Sequence, residues 1–179
     1  MLFKKKENKN IDFILTRESV RNYSDKLIQK EDLDLILKAA MSGPSCLNSR
    51  DYKFIVVDEK KVLRDLYMTI GPTSKPLLSC TCAIVILADK SRSFAQAIDY
   101  RFVDTAIAAQ NIMLAANTLN IGSCMLGVYP QKDRVENVSK YFNLPSNLEC
   151  TSVISLGYKL EETKGKDHFE EDRIYYNKY

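Results

Sequence analysis

The chain has 179 residues, 45% hydrophobic and 27% charged, enough for one ordinary domain with a real core. Its 26 Lys and Arg against 23 Asp and Glu leave a net charge of +3, too little to point to a nucleic-acid partner, and no apolar run approaches the roughly 18 residues of a membrane span. The first ten residues lack the apolar core of a signal peptide, so a cytoplasmic protein with no membrane and no nucleic-acid partner is expected.

Five cysteines at irregular spacing and a lone histidine, His168, give no zinc constellation and deny the chain most Ser-His and Cys-His nucleophile schemes. Reduced, mostly buried thiols are expected. If the protein is an enzyme, a bound cofactor is the natural carrier of its chemistry.

In chain order, residues 1–9 carry Lys4, Lys5, Lys6 and Lys9 and read as a flexible N-terminus. After a short apolar segment from Ile11 to Leu15 comes Thr16-Arg17-Glu18-Ser19-Val20-Arg21-Asn22-Tyr23. Two guanidinium forks four residues apart, with a hydroxyl between them, suit phosphate or carboxylate oxygens. The same spacing also fits a solvated helix face.

Leu33, Ile36, Leu37, Ala40 and Met41 recur at helical spacing and predict an amphipathic helix over 30–41. Gly43-Pro44 ends it, and the polar loop Pro44-Ser45-Cys46-Leu47-Asn48-Ser49 is either a plain connection or a ligand contact. Residues 52–57 read as a strand, 58–68 as a helix and 71–76 as a loop. Residues 82–88 form an apolar run typical of a strand covered on both faces. The longest helix is expected over 99–119. There Val103, Ala106, Ile107, Ala109, Ile112, Met113, Leu114, Ala115 and Ala116 cover nearly the whole circumference, which calls for burial all round, at the centre of the fold or in a subunit interface. Gly122 and Gly127 have the outer spacing of a phosphate loop, but Val128 stands where lysine is required, and 123–128 reads as a strand. A helix over 132–142 and a strand over 151–156 follow. A polar extension over 159–179 closes a single domain spanning 1–179.

Four separated stretches resemble, in order, motifs of the flavin-dependent nitroreductases. These are Arg17-Glu18-Ser19-Val20-Arg21-Asn22-Tyr23, Pro44-Ser45-Cys46-Leu47-Asn48-Ser49, the run from Leu119 to Pro130 with Gly127-Val128-Tyr129-Pro130 at its end, and Ile154-Ser155-Leu156-Gly157-Tyr158 followed by Arg173. The resemblance implies an α+β fold, a three-layer sandwich with a mostly antiparallel central sheet flanked by helices. It implies a homodimer with FMN at the interface, NADH or NADPH as reductant and a small-molecule acceptor such as a nitroaromatic or quinone, served in two half-reactions. By motif position, Arg17, Ser19 and Arg173 would hold the FMN phosphate and Arg21 would lie by the pyrimidine edge of the ring. Pro44, Ser45, Cys46 and Asn48 would pack on the ring from the partner subunit, and the backbone N–H groups of Leu126 and Gly127 would face its reactive edge. Glu18, Val20 and Met125 belong to the same cofactor-binding stretches.

The chain departs from the family pattern at Arg50-Asp51-Tyr52, where Gln-Pro-Trp is frequent, and it has no tryptophan. Glu18 replaces a frequent basic residue, and its side chain is expected to face solvent. The loop at 71–76 and Phe94 are candidates for shaping an acceptor pocket. A specialised flavin enzyme such as a reductive dehalogenase is the alternative within the family. A flavin-binding carrier or sensor with little turnover is the alternative outside enzymes.

Overall fold

A computed structural model of the chain describes residues 9–161 and 168–179. The expected flexible arm over 1–9 therefore lies outside the described residues, apart from Lys9, which opens a short helix, α1 (Lys9–Leu15).

Five α-helices and four strands are described, with α2 spanning Lys30–Met41, β1 Tyr52–Val57, α3 Lys60–Ile70, β2 Cys82–Asp89, α4 Tyr100–Thr118, β3 Gly122–Gly127, α5 Lys132–Tyr141 and β4 Leu148–Gly157. The strands form one sheet in the order β1-β2-β4-β3, with every pairing antiparallel. β2 and β4 are thus central, and β1 and β3 are its two edges. In β2 the period-two alternation sorts residues onto two cores. Cys82, Ile84 and Ile86 pack with Ile36 and Ala40 of α2 and Ala109, Ile112, Met113 and Ala116 of α4. Ala83, Val85 and Leu87 pack with Leu63, Leu66 and Ile70 of α3 and Val138 of α5. The result is the three-layer α+β sandwich, α2/α4 over the sheet over α3/α5. β2, buried at every position, needs its unbroken apolar run because both of its faces are covered.

Three expectations change. The stretch at 71–76 is no loose loop but a 3-10 turn over Pro72–Leu78, with Pro76 and Leu77 buried in the α3 side of the core. The last strand is longer than 151–156, because pairing with β2 extends to Leu148. The long helix is not buried all round in the single chain. Its inner face takes in the polar residues Arg101, Asp104 and Thr105 along with the small apolar ones, while Val103 stays 50% exposed.

Candidate functional site

The Arg17–Tyr23 stretch runs along the β3 edge. Ser19 and Ser123 form a parallel bridge, and the Val20 N–H donates to the Ser123 carbonyl at 2.9 Å. Two glycines permit this approach. Gly122 and Gly157 are cross-strand partners. A Cβ on Gly122 would meet the Val20 side chain at 2.9 Å, and one on Gly157 would meet the Tyr23 ring at 2.9 Å, closer than atoms tolerate. Tyr23 then locks the segment, its hydroxyl donating to the Val20 carbonyl at 2.6 Å and lying 2.9 Å from Ser155 Oγ. Burial pushes this phenol far above its ordinary value, so it stays a donor.

Between these anchors Arg17 is half-buried, while Ser19 and Arg21 are exposed. All three converge on the neighbourhood of Cys124. Burial raises that thiol's pKa, opposed by the positive charge of Arg21, a hydrogen bond with Ser19 and the charge of Arg17. Among the described residues no carboxylate is paired with Arg17 or Arg21. Two guanidiniums without a carboxylate partner among the described residues, beside a hydroxyl, are chemistry that suits an anion. Glu18 corrects one expectation. Its carboxylate does not face solvent but is 15% exposed and ion-paired with Lys159 at 2.5 Å, tying the segment to the end of β4.

The bridge also sets the direction of every amide on β3. With Ser123 turned outward, the period-two alternation turns the amides of Met125 and Gly127 outward as well, and that of Leu126 inward to β4. Met125 is 45% exposed, whereas the Leu126 side chain is buried in the α3-side core. A Cβ on Gly127 would meet nothing within 4 Å, so the sheet face is open there, and Arg134 Nη1 donates to the Gly127 carbonyl at 3.2 Å. Ser123, bridged to Ser19, and Gly127 stand about 14 Å apart along this edge.

The second candidate stretch lies elsewhere. Gly43 presses on α4, where an added Cβ would sit 2.7 Å from Ile107 Cγ2. Pro44 and Asn48 are exposed, Ser45 and Cys46 half-buried. Ser45 Oγ accepts the Arg50 N–H at 3.0 Å, and Asn48 Oδ1 accepts Arg50 Nε at 3.0 Å. Leu47, Asn48 and Arg50 take φ of 49°, 56° and 48°. Leucine in this left-handed region is strained by about 1 kcal/mol or more, and here it is also 74% exposed. The Cys46 N–H fastens the loop to the Asp104 carboxylate at 3.0 Å.

α4 separates the two stretches. Phe102 stacks on Tyr129, just past β3, with ring centroids 3.9 Å apart, while Asp104 holds the loop. Two residues apart on a helix, these side chains project about 200° apart. One chain thus sets its loop and its β3 edge on opposite sides of the same helix.

Arg173 is not brought to Arg17 or Ser19 by any hydrogen bond or ion pair among the described residues. It lies in an exposed 3-10 turn, Glu171–Arg173, with Nε 2.6 Å from Glu170. The Pro72–Leu78 turn contributes Leu77 and Leu78 to a groove with Tyr23, Arg64 and Tyr67 on the α3 side, across the sheet from the loop. Sequence reading missed Asp51 and Asp104, only 1% and 2% exposed. The available signal for Asp104 was a carboxylate inside a largely apolar helix.

The sequence model of the nitroreductase family matches residues 14–77 and 71–158. A protein of Methanothermobacter thermautotrophicus with a provisional NADH dehydrogenase/NAD(P)H nitroreductase name is 37% identical over 94% of this chain and 87% of its own length. An FMN-dependent nitroreductase of Clostridium difficile superposes with a TM-score of 0.87 at 33% identity, covering 94% of this chain and 99% of that one. An FMN reductase (NADPH) of Bacillus subtilis is 20% identical over 94% of this chain and 73% of its own.

Proposed function

Because this chain belongs to the nitroreductase family, we propose that it is an FMN-dependent NAD(P)H oxidoreductase whose acceptor is an electron-poor small molecule, a nitroaromatic or a quinone. When bound, FMN would supply the redox chemistry, as hydride acceptor toward NADH or NADPH in one half-reaction and electron donor toward the acceptor in a second.

The residues present suit this cofactor, and the open β3 edge carries the reading. At one end Arg17 and Ser19 offer a cation and a hydroxyl to a phosphate, with Val20 and the Glu18–Lys159 ion pair holding them in place. About 14 Å along, Gly127 presents an outward amide whose direction the sheet fixes, and Met125 lines the edge between them. Leu126 departs from what the resemblance implies, because its amide turns inward to β4, and its buried side chain pins the strand instead. Arg21 adds a cation for the negative charge that builds on the ring system on reduction. Arg173, paired with Glu170 in the C-terminal turn, would have to leave that partner to add a further cation.

The Pro44, Ser45, Cys46 and Asn48 loop reaches the β3 edge from a second copy, since in its own chain α4 stands between them. The exposed apolar residues Met41, Leu47 and Val103, at 52%, 74% and 50%, cover the same layer and suit burial in a homodimer. No helix among the described residues is long and apolar enough to cross a membrane.

Initial rates measured over a grid of NADH or NADPH and a quinone test the two-step scheme. Parallel double-reciprocal lines are expected, and lines that converge would contradict it.

A further inference from the structure

The loop that carries Ser45, Cys46 and Asn48 rests on two buried acids. Asp104 accepts the Cys46 N–H at 3.0 and 3.2 Å from its two oxygens and the Ser49 hydroxyl at 3.4 Å. Asp51, where the chain enters β1, accepts the Ser93 hydroxyl on Oδ2 at 2.8 Å. Its Oδ1 is buried and meets no N–H or hydroxyl donor among the described residues, yet its carboxyl lies within hydrogen-bond reach of Asp104. Two carboxyl oxygens in such contact are satisfied only if one bears a proton.

Among the described residues no cation offers an alternative. Lys53 of β1 is taken up by Asp89 of β2 at 3.0 Å. Arg101 of α4 pairs with Asp99 and with Glu149 of β4, which Lys90 also reaches. Arg50 binds the Asn48 side chain, and Arg92 donates to the Ser49 and Arg50 carbonyls. Cys46 contributes its N–H, and its thiol is half-buried.

We propose that Asp51 and Asp104 are positioning residues that share one proton, and that this singly charged pair holds the Ser45–Asn48 loop in the shape that packs on FMN. Charging both acids places two negative charges side by side in a buried site. The Cys46 anchor then loosens, and with it the loop. Burial first, and the neighbouring Asp51 charge after it, raise the Asp104 carboxyl above the usual carboxylate range against the pull of the Cys46 N–H, which is the direction the shared proton requires. The proposal rests on the FMN reading above.

Its test is FMN affinity, read by quenching of flavin fluorescence from about pH 5 to about pH 9, in the parent, Asp51→Asn and Asp104→Asn. Either asparagine keeps the pair's shape and supplies a permanent donor in place of the shared proton. The parent is expected to lose affinity relative to both variants by about tenfold or more as pH rises, while the titration of FMN itself is common to all three. Parallel curves within about twofold would overturn the pair and leave the FMN reading intact. A parent that binds no FMN at any pH would overturn both.

A second readout needs no cofactor. Asp104 has a raised folded-state pKa, so its contribution to stability is fully present below the unfolded carboxylate value and is lost as pH rises through the folded one. Urea midpoints of the FMN-free parent are expected to fall over that interval and those of Asp104→Asn to stay level. Equal slopes would overturn the shared proton.

Discussion

Gly122 does its work by lacking a side chain. Gly122→Ala would drive a methyl into Val20 at 2.9 Å, a branched side chain that is itself buried and cannot swing clear. Overpacking of this kind costs about 1–3 kcal/mol, so urea unfolding is expected to shift by that amount and FMN to bind more weakly as the arginine segment lifts. An unchanged midpoint would mean that Val20 does not sit on the strand. Arg21, by contrast, is exposed and holds nothing together beyond one bond to the Ser19 carbonyl at 3.2 Å. Arg21→Ala is therefore expected to leave stability nearly untouched while weakening FMN by roughly ten- to a hundredfold, the worth of one charge-assisted contact. Equilibrium dialysis checks it, and equal retention of FMN would remove this arginine from the site. Arg21 stood out in the sequence, where residue types and spacing carry the anion chemistry, whereas Gly122 drew notice only for a phosphate-loop spacing that Val128 rules out. Glu18 did not, because the partner that turns it inward, Lys159, lies 141 positions away.

Elements meet through a few polar fasteners that local patterns do not reveal. At the end of β2, Asp89 accepts hydrogen bonds from Ser91 and Asn147 and an ion pair from Lys53 of β1, clamping the end of the sheet beside the loop. Burial alone would raise its pKa, but the Ser91 hydroxyl, the Asn147 amide and the Lys53 ammonium outweigh it and hold the carboxyl at about 2. A lowered folded-state pKa stabilises the fold above the unfolded value, near 4, and that contribution is lost as pH falls toward about 2. Asp89→Asn is expected to cost roughly 2 kcal/mol at neutral pH and to shrink that difference in acid, as denaturation at the two pH values would record. A cost independent of pH would show that shape rather than charge matters there. The helices α2, α3 and α5 and all four strands were legible from hydrophobic period alone. Strand β4 was read short because Leu148 and Glu149, at its start, belong to it only by pairing with β2. The apolar circumference of α4 did not reveal that Arg101 and Asp104 sit buried on its inner face, because their partners, Glu149 and the Cys46 amide, lie in no local window.

At the scale of the molecule, the layers follow from the chain, and the proposed pairing of two copies follows from what the layers leave open. The same helix that separates the loop from the β3 edge exposes Val103. Val103→Glu is expected to halve the mass seen by light scattering, from a pair of 20.5 kDa chains to one, and to abolish FMN retention with the fold preserved by circular dichroism. A variant that stays paired and flavin-loaded would place the interface elsewhere. The two-sided arrangement could not be read from the sequence, where Cys46 and Gly127 are simply two motifs in order. It takes the sheet order and the rotation of α4 to show that a single chain keeps them apart. The most direct measurement is the visible spectrum of the purified protein after soaking in FMN and desalting, followed anaerobically by NADH and NADPH in turn. Flavin bands that survive desalting and bleach with one or both nucleotides are predicted. A protein that emerges colourless would contradict the account at its centre, and bands that persist through both reductants would leave a flavin carrier in place of an enzyme.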